Sequence, residues 1–231
     1  MAENDNHIYE LRLYAIAPGR LNDMAARFRN DIRVLFPKHG IRLVGSWTCI
    51  AGPRAPVFVY LMRWDSFEQR SQAFASFAAD PDWQEARART NGPSELVERY
   101  EIQFLKALDG SGIEEPMPLT DDGVFELNIH AASNGRAVAM RDAILNHDLA
   151  AKERAGADLV GAFEAITGPK LPSVISLVRW PDANTLSKGY DLVESDQGYG
   201  QHLRTEINDN GRHVLGDADR FVMRPVAINW N

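Results

Sequence analysis

Sliding the 231-residue chain against itself by 116 positions lays residues 8–64 on residues 124–180 without a gap, and 18 of those 57 pairs are identical. Ordinary composition would give about three. A period this long is a whole domain and not a solenoid unit, so the sequence predicts two related halves, 1–108 and 124–231. Residues 109–123, acidic and rich in Gly and Pro, read as a linker between them. Many shared residues are glycines and prolines, including Gly40/Gly156, Gly45/Gly161, Gly52/Gly168 and Pro56/Pro172. Turn geometry has been kept while contact residues have drifted.

Each half opens on an alternating strand pattern, IYELRLY at Ile8–Tyr14 and VFELNIH at Val124–His130. One face carries Tyr9, Leu11 and Leu13, echoed by Phe125, Leu127 and Ile129. The other carries Glu10, Arg12 and Tyr14, echoed by Glu126, Asn128 and His130. In the first half a helical pattern follows the Pro18-Gly19 turn and stops at Pro37 and Gly40. Leu43–Ile50 and Val57–Trp64 form a hairpin around GPRAP. Asp65 with Glu68 reads as a capping box for a helix with Phe67, Phe74 and Phe77 inward, a short helix follows Asp80-Pro81, and Leu96–Leu105 is the last strand. The second half repeats this with five extra residues before its final strand if Arg99-Tyr100 is matched to Arg220-Phe221. The order β-α-β-β-α-β is ferredoxin-like, α+β, with both helices on one face of the sheet. Two such sheets with one bare face each are expected to close on one another as a barrel with the helices outside.

At these residues the chain resembles the NIPSNAP family within the dimeric α+β barrel superfamily. The first half matches in YELRLY, LVGSWTCIAGP, FVYLMRWDSFEQR and DPDW; the second keeps FELNIH, NGR, LVGAFEAITGP and LVRWPD but has lost the equivalents of Arg12, Tyr14, Tyr60, Glu68 and Arg70. The resemblance implies paired sheets around a centre and carries no catalytic motif to transfer. Relatives in the superfamily include cofactor-free isomerases, cyclases and monooxygenases.

If helices cover the apolar strand faces, the mixed faces look into an enclosed space between the halves, because ionisable groups are rarely buried unpaired. Glu126, Asn128 and His130 would span about 13 Å of its wall, with Glu126 or His130 as general base. Arg12, flanked by Glu10 and Tyr14, would bind a carboxylate or a developing enolate; the competing reading makes Glu10 and Arg12 a structural ion pair. Phe58, Tyr60 and Met62 share parity with the smaller Val174, Ser176 and Val178, giving either an asymmetric pocket with Tyr60, Phe58 and Ser176 touching substrate or complementary packing. Trp47, matching Phe163, is a stacking platform or core. Glu164, matching Thr48, has no assigned face. Arg63 and Arg179 are expected to anchor the following helices, and Cys49 to be a small core residue.

Composition removes other classes. A net charge of −7 disfavours nucleic acid and anionic membrane surfaces. No apolar run reaches membrane length, the amino terminus reads as having no leader, and one cysteine fits a reducing, cytoplasmic setting. The six histidines contain no i, i+4 pair, no glycine loop cradles phosphate, and no serine sits in a nucleophile elbow, so no metal or cofactor is expected. The expectation is a cofactor-independent lyase or isomerase acting on a small carbonyl, hydroxy or aromatic compound, with room for the tandem chain to pair again as a homodimer. The alternatives are a non-catalytic docking protein with a filled interior, and a cofactor-free monooxygenase with a mostly apolar pocket.

Overall fold

The computed structural model describes residues 5–108, 110–113 and 123–228. Of the expected linker, residue 109 and residues 114–122 lie outside the described residues. The first half runs β1 (Ile8–Ile16), α1 (Leu21–Arg27), a π-helical turn (Phe28–Ile32), α2 (Arg33–Lys38), β2 (Arg42–Ala51), β3 (Val57–Trp64), α3 (Phe67–Ala79), α4 (Pro81–Asn91) and β4 (Val97–Ala107). The second runs β5 (Val124–Ala132), α5 (Ala137–Ala143), a π-helical turn (Ile144–Asp148), α6 (Leu149–Arg154), β6 (Asp158–Ala165), β7 (Ser173–Trp180), α7 (Ala183–Ser195), α8 (Gln197–Asn210) and β8 (Leu215–Pro225). The two π turns fall at matching positions of the 116-residue repeat.

All eight strands close into one antiparallel barrel in the order β1-β3-β2-β8-β5-β7-β6-β4. Within it the halves share one pattern, β4-β1-β3-β2 and β8-β5-β7-β6, and are joined at two seams, β2 to β8 and β4 to β6. Gly45 and Gly161 are glycine in both halves for a steric reason: a Cβ there would lie 2.6 Å from the Trp47 ring and 2.9 Å from the Phe163 ring. Both rings fold back over their own strands into the barrel.

The barrel's inside is the reverse of the expectation. Tyr9, Leu11, Leu13, Trp47, Cys49, Val59, Leu61, Phe125, Leu127, Ile129, Phe163, Ile175, Leu177 and Met223 fill it as one apolar cluster, leaving a void of about 10 Å³, room for one water at most. An eight-stranded barrel is just wide enough for its own side chains to fill, so the two more hydrophobic faces meet there. The mixed faces, with Glu10, Arg12, Tyr14, Glu126, Asn128 and His130, turn outward beneath the helices. Among the described residues there is no shared polar chamber between the halves, and Phe58 and Tyr60 do not face Ser176; each row lies under its own half's helices, on opposite sides of the packed barrel.

Local signals mostly hold, with shifts. Pro37 is tolerated in the last turn of α2, and Gly40, at φ 68°, makes the stop. The cap of α3 is Ser66, whose hydroxyl accepts from Gln69 N at 3.0 Å while Gln69 Oε1 accepts from Asp65 N, one residue on from the expected Asp65/Glu68 pair. Phe67 is exposed and lies against Phe104, whereas Phe74 and Phe77 pack inward. In register, Ile102 pairs Arg12 while Arg220 pairs Asn128, so β8 is two residues late and not five. Arg63 donates to Ile113 O at 3.1 Å and Arg179 to Asp158 Oδ2 at 3.1 Å, the latter a contact to β6. Among the described residues no helix is long and apolar enough to cross a membrane.

Candidate functional site

The first half closes its polar row completely. The Glu10 carboxylate, wholly buried, accepts from Arg12 Nε at 2.7 Å, from Arg70 Nη2 and Nε at 3.0 Å each, and from Trp64 Nε1 at 3.0 Å. Arg12 Nη2 lies 2.6 Å from the same carboxylate, and its Nη1 donates to the Tyr14 and Tyr60 hydroxyls at 2.8 and 3.1 Å. Tyr60 donates to Tyr14 at 2.7 Å, and the Arg12 guanidinium lies over the Phe74 ring at 4.3 Å. Charges this deep persist because each has its opposite and its hydrogen bonds. The structural reading of Glu10 and Arg12 is the one this geometry matches.

The second half keeps the same frame but leaves it open. Glu126 is wholly buried, and its Oε2 accepts from Trp180 Nε1 at 3.0 Å, the same indole contact that Glu10 has from Trp64. Its Oε1 accepts from Asn128 Nδ2 at 2.7 Å, with Lys152 Nζ at 3.2 Å and Arg220 Nε at 3.4 Å. Lys152, 2% exposed, also lies 3.1 Å from Asp148 Oδ2. Both Lys152 contacts are close enough to pair charge but lack hydrogen-bond geometry, so its ammonium protons remain to be given. Also buried without a hydrogen-bond partner are both ring nitrogens of His130, Ser176 Oγ, Asp148 Oδ2 and Tyr190 Oη. Buried polar atoms left unpaired are rare and costly. Five residues carrying them converge under α6, α7 and the adjoining π turn, whereas the matching first-half residues carry none.

Substitutions along the repeat explain the difference. Ile32 and Phe36, core residues under α1 and α2, are replaced by Asp148 and Lys152; Phe74 becomes Tyr190. Tyr60 becomes Ser176, and in register the place of Tyr100 opposite Tyr14 is taken by Ala218 opposite His130. Large aromatic groups give way to small ones around the imidazole. The Tyr14–Tyr60 and Tyr14–Tyr100 ring contacts of the first half have no counterpart there.

Electrostatics follows from this packing. Burial is the largest influence on His130 and pushes its imidazole down to about 4; Lys152 and Arg220 push the same way, while Asp148 and Glu126 oppose them. The ring is therefore neutral near pH 7, one nitrogen a donor and one an acceptor. Burial alone would raise the Glu126 carboxyl, but Lys152, the Asn128 and Trp180 hydrogen bonds and Arg220 together hold it below its ordinary value. A carboxylate so stabilised is a fixed anion, a weaker base than the sequence reading expected. Burial, with Asp148 and Glu206 nearby, pushes the Tyr199 phenol up to about 12. Beyond it, His147 and His202 stack at 3.6 Å, with His202 Nε2 2.9 Å from Glu206 Oε1.

The structure thus brings Glu126, Asn128, His130 and Ser176 together. It sets Glu10, Arg12, Tyr14, Tyr60 and Phe58 apart in the saturated half, and places Trp47 inside the barrel. Burial pushes the Cys49 thiol, also inside, up to about 11, as suits a core residue. Glu164 is exposed at a cleft of about 40 Å³ beside Arg141 and Ser173. Sequence reasoning missed Asp148, Lys152, Tyr190 and Arg220. The signal for the first two was present in the self-alignment, as acid and base replacing inward-facing Ile and Phe.

Residues 9–111 match the NIPSNAP family model. The first half is thus similar to the NIPSNAP family. The curated NipSnap homolog 3A proteins of Pongo abelii and Homo sapiens are each 26% identical over 164 residues, 71% of this chain and 64% of theirs. The chain therefore spans less than two thirds of those relatives. Whole-chain likeness is found among solved structures: an anthrone oxidase-like protein superposes with a TM-score of 0.64 at 12% identity, covering 97% of this chain and 93% of that one. A candidate monooxygenase from Lactobacillus acidophilus gives 0.58 at 13%, covering 96% and 95%. At such identities the likeness establishes the α+β barrel fold alone. The NIPSNAP match ends before β5, so the open polar site lies outside it.

Proposed function

We propose that this NIPSNAP-like chain is a pair of ferredoxin-like repeats in which the first is a closed structural half and the second binds a small molecule between the outer face of its sheet and α6–α8. There it moves a proton on a small carbonyl or hydroxy compound without a cofactor, as an isomerase or lyase. The observation that carries this reading is the unequal saturation of two equivalent places: a complete hydrogen-bond set around Glu10, and a cluster of unpartnered buried polar atoms around His130. Unpaired buried polar groups are rare in folded proteins and concentrate at functional sites. The buried Cys49 accords with a cytoplasmic protein.

His130 is the proton-transfer group. The C–H bond beside a substrate carbonyl breaks, its electron pair passes toward the carbonyl oxygen as an enolate, and the proton rests on the imidazole until it returns to a neighbouring carbon or the enolate expels a leaving group. A neutral ring has the lone pair this step needs. Lys152 and Ser176 have donors to give the enolate oxygen. Glu126, held by Trp180 and Asn128, positions Lys152 and Arg220.

The test is hydrogen exchange in D2O, followed by proton NMR, over a panel of small ketones, oxo acids and hydroxy acids. Exchange that His130→Ala abolishes and Tyr14→Phe leaves intact supports the assignment. Exchange equal in wild type and His130→Ala overturns it. Ligand-induced shifts at His130 with no exchange would favour the non-catalytic binding reading.

A further inference from the structure

Resting on that reading, we infer that the substrate is a short carboxylic acid whose carboxylate is held by Arg220 and whose C–H beside a carbonyl or hydroxyl reaches His130. In the first half every nitrogen of the Arg12 guanidinium is used, and the side chain is closed to solvent. In the second half a guanidinium is again stacked on the ring at the matching position of the long helix, Arg220 over Tyr190 at 4.6 Å where Arg12 lies over Phe74 at 4.3 Å. The arginine now comes from β8, and Asn128 stands where Arg12 stood.

That relocation changes which nitrogens are free. Arg220 Nε donates to Asn128 Oδ1 at 3.1 Å and lies 3.4 Å from Glu126 Oε1, and the ring fixes the guanidinium plane. Its two terminal amino groups have no partner among the described residues, and the side chain is 45% exposed, so they can be reached from solvent. A planar fork fixed at Nε with both ends open is the geometry that takes a carboxylate bidentately.

Register then sets the length of the ligand. Ser176, Asn128 and Arg220 form one row across three strands, and Val174, His130 and Ala218 form the next row on the same face. The rows are about 6.6 Å apart along the strand. A carboxylate at Arg220 and a reactive carbon at His130 fit one molecule of about four to six carbons. Val174 and Ala218, small where the first half has Phe58 and Tyr100, flank the buried imidazole. The ligand's negative charge would also make the imidazolium easier to form, giving His130 its basicity only when substrate is present.

The experiment compares 4-oxopentanoate with its methyl ester, read by the His130 ring resonances in NMR titrations. Wild type should bind the acid about tenfold more tightly than the ester or better, and Arg220→Met should remove that preference by weakening the acid alone. Arg220→Lys, which keeps the charge and loses the fork, should lose most of it and replaces the Met variant should that one fail to fold. Equal affinity for acid and ester, an Arg220 variant that binds the acid as wild type does, or binding of neither probe overturns the inference. His130-dependent exchange on the ester, with no acid preference, would leave the proton-transfer reading standing without the carboxylate anchor; acid preference with no exchange would do the reverse.

Discussion

The sharpest consequence of a buried, unpartnered, neutral histidine is an acid-sensitive fold. In the unfolded chain His130 titrates near 6.5, and in the native structure burial holds it down to about 4. Between those values the unfolded state binds the proton and the native state does not, so stability is complete above about pH 7 and is lost as pH falls through 6.5 toward 4. A difference of about 2.5 units at about 1.4 kcal/mol per unit gives roughly 3 kcal/mol in full, of which about 2 kcal/mol is gone by pH 5. Such a loss is a large share of a typical folding free energy. Urea unfolding of wild type and His130→Gln at pH 7.5 and pH 5 measures it, because other groups, including His147 whose ring is also held down by burial and by His202, act on both proteins and cancel in the difference. Wild type should lose about 2 kcal/mol more than the variant over that interval. Equal losses, or an imidazole resonance titrating near 6.5 in the folded protein, would refute the reasoning.

Three further substitutions test the framework around it. Lys152→Phe restores the first half's residue but strands Asp148 and weakens the pairing of Glu126, and should cost about 3 kcal/mol; adding Asp148→Ile should recover most of this, a coupling readable in a double-mutant cycle by chemical denaturation. Glu10→Gln removes the anion shared by Arg12 and Arg70 and should destabilise by about 3 kcal/mol in the same assay while leaving hydrogen exchange on substrate unchanged. Gly189→Ala in α7 should destabilise by about 1–3 kcal/mol, against the usual gain of about 1 kcal/mol for Ala over Gly in a helix, because its Cβ would lie 2.2 Å from the Trp180 ring that Glu126 holds in place; a raised melting temperature would contradict this.

Much of the architecture was legible because it is local. Alternation marked the opening strands, and Gly52-Pro53 and its echo marked the hairpins. The 116-residue repeat predicted that whatever the first half did the second would do again, down to a π turn that no pattern foretold. What was not legible depends on partners far along the chain. Arg70 lies 60 residues from Glu10, and Arg220 lies 92 from Asn128. The match of Arg99-Tyr100 to Arg220-Phe221 concealed the second of these, since a slip of one residue turns a strand's faces over.

The reversed barrel shows how a sound rule can mislead. Ionisable residues are buried only when paired, and the strands alone offer Glu10 only Arg12 and offer Glu126 no cation, so an enclosed polar space was expected for them. Further partners come from the covering layer: Arg70 on α3 joins Arg12 at Glu10, and Lys152 on α6 joins Asn128 at Glu126. Once these are supplied, nothing resists placing the apolar faces of Leu11 and Leu127 together at the centre, where they join one buried cluster. The functional consequence is a separation of tasks. Stability resides in a barrel core that both halves share, and each half has its own polar layer outside that core. One layer can therefore be opened by a few substitutions, Phe36 to Lys152, Tyr60 to Ser176 and Tyr100 to Ala218, while the barrel beneath and the closed layer on the far side remain as they were.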